Sequence, residues 1–188
     1  MLLPNDGEVH LIVAETDRLV IRWLNEADAE FIHLLFNTDG FLQFVGDRNI
    51  RSIEDGRNYL QNGPLGMYQH VGIGLYMVEL KSENQPLGIC GLIKRDSLDD
   101  IDIGYGFLPD HAGLGYAYES AVAVVEYAKS ELNLKRLVAI TTSDNARSIK
   151  LLERLGLTFE SNVEEPADAP ALGLYATDLY PTTSDRNV

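Results

Sequence analysis

At Leu108 the hydrophobic period of this chain changes sharply, from two to 3.6. Before it, apolar residues run in three short stretches, roughly Gly72–Leu80, Pro86–Lys94 and Ile101–Leu108, separated by the polar turns Ser82–Gln85 and Asp96–Asp100. Stretches of that length read as β-strands, and links this short join antiparallel neighbours. After Leu108, Ala121, Val125, Ala128 and Leu132 recur at i, i+4, i+7 and i+11, which predicts an amphipathic helix from about Gly115 to Glu131. Arg136–Thr141 is again strand-like. Strand, helix and strand in that order form a crossover, so 101–108 and 136–141 are predicted to be parallel neighbours. The fold class follows: an α/β (α+β) mixed sheet, mostly antiparallel, with helices on its faces.

The remaining elements are read from local signals. Arg18–Arg22 alternates apolar with charged residues and predicts a strand. Asn25 is placed to cap a helix to about Phe36, with Phe31, Leu34 and Leu35 inward. Ser52-Ile-Glu-Asp55 resembles a capping box opening a helix through about Leu60, and Gly63-Pro64 is expected to close that region. Asn145–Leu155 predicts a helix stopped by Gly156, and Leu157–Glu160 and Ala171–Leu179 predict strands. With 188 residues, no repeat and no linker, a single domain over 1–180 is expected, followed by a frayed polar tail at 181–188.

Charge and composition remove several function classes. The formal charge is −14, which opposes wholesale binding to nucleic acid, since that affinity rests on Lys and Arg displacing counterions. The lone cysteine, Cys90, lies in a strand-like run and reads as a core side chain; it cannot form an internal bridge or a zinc cluster. His10, His33, His70 and His111 are scattered, so no metal site is expected. Residues 58–78 carry no charge, but Gly63, Pro64, Gly66, Gly72, Gly74 and five amide or imidazole side chains argue against a membrane span. The first residues lack the basic and apolar regions of a signal peptide, so a cytoplasmic setting is expected.

The segment that carries chemistry is Phe107-Leu-Pro-Asp-His-Ala-Gly-Leu-Gly-Tyr-Ala-Tyr-Glu-Ser120. A strand ends, Gly113 and Gly115 relax the backbone, and a helix starts at once. The first turn of a helix has N–H groups without carbonyl partners and the positive end of the helix dipole. Glycine removes the Cβ that would keep a phosphate away. Amides of Gly113, Leu114, Gly115, Tyr116 and Ala117 therefore form a candidate diphosphate cradle, the alternative being a plain flexible connector. The loop lacks the third glycine of a dinucleotide fingerprint and the Gly-Lys-Ser/Thr of a P-loop. Between Gly113 and Gly156 six Lys/Arg face five acids, against nine and twenty-four in the rest of the chain, a local relief suited to an anion. Arg147 and Lys150, near the start of the following helix, are the cations best placed for ligand phosphate.

The run Gly113-Leu-Gly-Tyr-Ala-Tyr-Glu-Ser120, then Leu134-Lys-Arg-Leu, then Asn145-Ala-Arg-Ser-Ile-Lys-Leu-Leu-Glu-Arg-Leu-Gly156, resembles the GNAT superfamily of N-acetyltransferases. The opening Glu15-Thr-Asp-Arg-Leu-Val-Ile-Arg22 is similar to its ribosomal-protein alanine N-acetyltransferase (RimJ/RimL-like) branch. The likeness spans Glu15 to Tyr180. It implies acetyl-CoA as cofactor, a parallel pair of strands splayed apart, and an amine acceptor: a small molecule or a protein N-terminus. It also implies that Phe107 and Leu108 offer main-chain groups to the pantetheine arm, with Asn145 touching it. Ser148, one turn further on the same helix face, is the candidate acid for the leaving thiolate, the alternative being that it caps its own helix. Asp102 stands where the branch has an acidic residue and is the candidate base, the alternative being a solvated strand carboxylate. Two positions depart from the family pattern: Asp110 replaces a Gln or Arg, and Leu152 replaces a tyrosine. They motivate the competing expectation of an acyl-CoA-binding sensor without turnover.

Overall fold

The computed structural model describes residues 11–163 and 171–180; the frayed-tail expectation at 181–188 lies outside them. In chain order the elements are β1 (Ile12–Glu15), β2 (Leu19–Trp23), α1 (Ala29–Phe36), α2 (Asp39–Phe44), α3 (Ile53–Leu60), α4 (Gly66–Val71), β3 (Leu75–Leu80), β4 (Gln85–Ile93), β5 (Asp102–Phe107), α5 (Tyr116–Ser130), β6 (Arg136–Thr142), α6 (Ala146–Arg154), β7 (Thr158–Val163) and β8 (Leu172–Asp178). Among the described residues the strands form one sheet in the order β1-β2-β3-β4-β5-β6-β8-β7. Every pairing is antiparallel except β5 with β6.

Alternation along the strands divides the core between the two faces of the sheet. Tyr76, Val78, Cys90, Leu92, Ile103 and Leu137 pack with Ala121, Val124 and Ala128 of α5 and Leu152 of α6. Met77 and Ile89, one position out of phase, pack with Ile32, Leu35 and Phe36 of α1, Phe41 of α2 and Leu60 of α3. Asn25 Oδ1 accepts a hydrogen bond from the Ala27 amide and the Asp28 carboxylate accepts one from the Asn25 amide, so α1 opens through a short tight turn. Leu34 does not join the inner face; it is 55% exposed, and Ile32 takes the buried position instead.

The expected break at Gly63-Pro64 does not occur. Residues 61–65 form a wide helical turn that carries α3 into α4, with Pro64 buried inside it. Proline lacks the amide proton and crowds the carbonyl four residues back, and a turn closed over five residues relieves that crowding. Helix α4 ends at Gly72, whose φ of 78° is a left-handed cap, so β3 begins at Leu75 and not at Gly72.

The middle of the sheet is packed tightly at glycine. A Cβ placed on Gly91 of β4 would lie 2.2 Å from the Gly74 carbonyl oxygen and 2.6 Å from the Leu75 Cα, both backbone atoms that cannot swing aside. Gly91→Ala is expected to destabilise the fold by about 1–3 kcal/mol, read as a shift in the urea midpoint with an unchanged slope. A midpoint equal to that of the parent protein would refute the packing described here.

Candidate functional site

Strand β5 pairs with β4 along six positions, from Asp102 to Phe107. It pairs with β6 at one only, Asp102 opposite Val138, where the Val138 amide donates to the Ile101 carbonyl at 3.0 Å. Beyond that point the two strands part, while β6 stays paired with β8 through Thr142. A gap therefore opens between Gly104–Phe107 and the second half of β6. An extended ligand with amide groups can enter such a gap as a strand would, using main-chain groups that no neighbour takes. The Thr142 hydroxyl, on the strand bordering this gap, is buried and has no hydrogen-bond partner among the described residues.

At the mouth of the gap lies the glycine loop. Gly113 and Gly115 adopt φ of 79° and 85°, the left-handed region that glycine occupies at no steric cost. Gly115 is the N-cap of α5, and no side chain caps that helix's first turn. A Cβ on Gly113 would meet nothing within 4 Å, so the loop faces open space. A bared first turn, glycines and room for an anion are the features a diphosphate needs.

Two residues remote in sequence grip this loop. Arg18 Nε donates to Glu119 Oε2 at 2.7 Å, its Nη1 donates to the Leu114 carbonyl at 3.1 Å, and its guanidinium stands 4.5 Å above the Tyr116 ring. The Thr16 hydroxyl donates to Glu119 Oε1. Burial alone would raise the Glu119 carboxyl, but the bonds from Thr16 and Arg18 outweigh it and hold it below its ordinary value.

Inside the gap, Tyr105 of β5 reaches α6: its phenol oxygen lies 2.9 Å from Ser148 Oγ and 3.3 Å from the Ser148 carbonyl. Burial pushes the phenol above its ordinary range, so it stays protonated at neutral pH. The cap of α6 is Asn145, whose Oδ1 accepts from the Ser148 amide at 3.2 Å. The Ser148 hydroxyl is thus not the cap of its own helix and is turned to Tyr105. Arg147 and Lys150 are exposed on α6.

Asp102 occupies the point where the strands meet. The alternative of a solvated carboxylate is overturned, since the residue is only 1% exposed. Arg95 Nε donates to Oδ2 at 2.6 Å, and Oδ1 has no hydrogen-bond partner among the described residues. Burial pushes this carboxyl up to about 6, against the charge and hydrogen bond of Arg95 and the nearby Ile140 amide, which pull it down. On the α1–α3 side, a cavity of about 420 Å³ is lined by Arg48, Asn49, Ile50, Asn58 and Tyr59 among others. Arg48 and Asn49 bring the segment that follows α2 to this cavity. Phe41 and Trp23 are packing residues: Phe41 is buried against Phe36, and Trp23 stacks on Tyr68.

The structure thus groups Asn145, Ser148 and Tyr105 in the gap, and Gly113–Ala117 with Phe107 and Leu108 at its mouth. It puts no hydrogen bond between Asp102 and either Ser148 or Tyr105 among the described residues. Arg18, Thr16 and Thr142 escaped the sequence reading of the site. Cys90, on β4, is buried in the core, and burial pushes its thiol up to about 12, which fits a core side chain. No cluster of three or more potential metal ligands occurs among the described residues, and no described helix is long and apolar enough to cross a membrane.

Comparison with known proteins adds a family. Residues 18–158 match the acetyltransferase (GNAT) domain. A curated relative, the uncharacterized N-acetyltransferase YoaA of Bacillus subtilis, is 31% identical over 149 residues, 79% of this chain and 84% of its own. Among solved structures, an acetyltransferase from Agrobacterium tumefaciens superposes with a TM-score of 0.73 at 24% identity, covering 87% of this chain and 92% of the other. RimL, a ribosomal L7/L12 alpha-N-protein acetyltransferase in complex with coenzyme A, superposes with a TM-score of 0.77 at 20% identity, covering 89% and 97%. At such identities the structural likeness concerns the fold.

Proposed function

The chain belongs to the GNAT acetyltransferase family, and from that premise we propose that it takes its acetyl group from acetyl-CoA and passes it to a primary amine presented on the α1–α3 side, such as a protein N-terminus. The observation that carries this reading is the parting of β5 from β6 directly below a glycine-opened helix N-terminus. The residues fit the coenzyme: the loop has room where side chains would stand, and the buried Thr142 hydroxyl beside the gap lacks a partner among the described residues. Amides from Gly113 to Ala117 would hold the diphosphate, and Phe107, Leu108 and Asn145 would hold the pantetheine arm. Acetyl-CoA, when bound, supplies an acyl thioester.

Each proton task then has a candidate. A protonated amine is no nucleophile, so a base must take its proton; Asp102 offers Oδ1, the oxygen that Arg95 leaves free. The departing sulfur needs a proton donor, and we assign that task to the Ser148 hydroxyl, a reading supported by its 2.9 Å contact with the Tyr105 phenol. Arg48 and the asparagines of the cavity supply polar contacts for the acceptor. The acidic surface of the chain favours a cationic acceptor.

The test is release of CoA thiol from acetyl-CoA across a panel of amines: small polyamines, amino sugars and peptides with free N-termini. Turnover with at least one amine is expected. Ser148→Ala is expected to lower kcat about tenfold or more with little change in the KM for acetyl-CoA. Tight CoA binding without turnover for any amine would favour the sensor instead.

A further inference from the structure

We propose that Arg18 is a positioning residue for the diphosphate cradle, an inference that rests on the coenzyme reading above. One side chain at the start of β2 holds three points of the loop and helix at once: the Leu114 carbonyl, the Tyr116 ring and the Glu119 carboxylate. A Cβ on Gly115 would lie 3.4 Å from its Nη2, so the guanidinium forms the back wall of the cradle.

Two physical consequences follow from that placement. In a trans peptide the carbonyl and the next amide point in opposite directions, and no cis bond occurs among the described residues. Fixing the Leu114 carbonyl on Arg18 therefore turns the Gly115 N–H away from the guanidinium and toward the side where a ligand must lie. The second consequence is electrostatic. Glu119 sits in the first turn of α5, where its negative charge repels a diphosphate. Arg18 donates to Oε2 from Nε at 2.7 Å, with Nη2 2.5 Å away, and its backbone amide at 3.2 Å shares Oε1 with the Thr16 hydroxyl. The carboxylate is thus fully engaged and its charge offset before any ligand arrives. Of the other acids near these two segments, Glu15 is paired with Lys81, and Asp17 and Asp110 have no ion-pair partner among the described residues. Arg18 is therefore the cation that balances Glu119 at this loop.

The test is calorimetric binding of CoA and of dephospho-CoA, which keeps the diphosphate but lacks the 3′-phosphate, to the parent protein and to Arg18→Met, Arg18→Lys, Glu119→Gln and the Arg18→Met/Glu119→Gln pair. Arg18→Met is expected to weaken both ligands by the same factor, about tenfold. Adding Glu119→Gln is expected to restore about threefold of it by removing the unbalanced charge. Arg18→Lys is expected to fall between parent and Met, since an ammonium cannot hold the Leu114 carbonyl and Glu119 in the same fork. Should Arg18→Met fail to fold, Arg18→Lys carries the comparison. An affinity within twofold of the parent in both Arg18 variants would overturn the proposal, as would a loss for CoA that spares dephospho-CoA. If the parent protein binds neither ligand, it is the coenzyme reading that fails.

Discussion

Gly115→Trp is expected to lower affinity for CoA at least about a hundredfold while the protein still melts as one cooperative unit. The indole would leave Gly115 toward the Arg18 guanidinium, whose Nη2 lies 3.4 Å from the Cβ position, and would displace the side chain that holds the Leu114 carbonyl and so aims the amides that open α5. Losing two charge-assisted hydrogen bonds there costs about 3–6 kcal/mol of binding, and a hundredfold corresponds to about 2.7 kcal/mol. The cost to the fold is separate and smaller. An L residue at φ of 85° pays about 1–2 kcal/mol, which in a chain this long moves the melting temperature by several degrees. Isothermal titration of CoA beside a thermal melt reads both effects. Full affinity in a folded Gly115→Trp protein would mean that the diphosphate is held elsewhere.

Asp102→Asn is expected to reduce kcat by about a hundredfold or more and to abolish the acidic limb of the pH–rate profile. The sign follows from the environment of the carboxyl. Burial raises it to about 6, so it is protonated and unable to accept a proton below that pH, and ionised above it. In the parent enzyme kcat should rise with pH through about 6 as far as this group is concerned, then level off. The asparagine amide has the same shape, and Arg95, a third exposed, can turn its freed Nε to water, so the fold should persist. A limb near pH 6 that survives in Asp102→Asn would show that another group takes the proton.

Much of this architecture is legible before any coordinates, because periodicity reports what faces a core. The meander, the crossover and the parallel pair all follow from the change of period at Leu108, and the two faces of the sheet follow from alternation within β3 and β4. Missed are the elements whose sequence gives no such signal. β1 has only four residues, and α2 carries Gly40 in a six-residue helix. The helical passage through Pro64 defeats the rule that proline ends a helix because a wide turn absorbs it. Spacing alone turns Leu34 inward, yet the helix buries Ile32 and Phe36 instead.

The site divides along a similar line. The glycine loop is readable because both glycines and the helix they open are contiguous. Arg18 and Glu119 meet across 101 positions, and no local pattern couples them. For Asp102, alternation gives the face of β5 but not what covers it; Arg95 does, from the far side of the β4–β5 turn. The partnership of Tyr105 with Ser148 likewise depends on how far β5 and β6 diverge, a distance that sequence spacing does not encode.

The most direct measurement is a crystal structure of the protein with acetyl-CoA. The expected result is the diphosphate within hydrogen-bond distance of the Gly113–Ala117 amides, with the pantetheine arm running between β5 and β6. Phosphates seated away from that loop, or β5 and β6 closed upon each other with the arm outside, would contradict it.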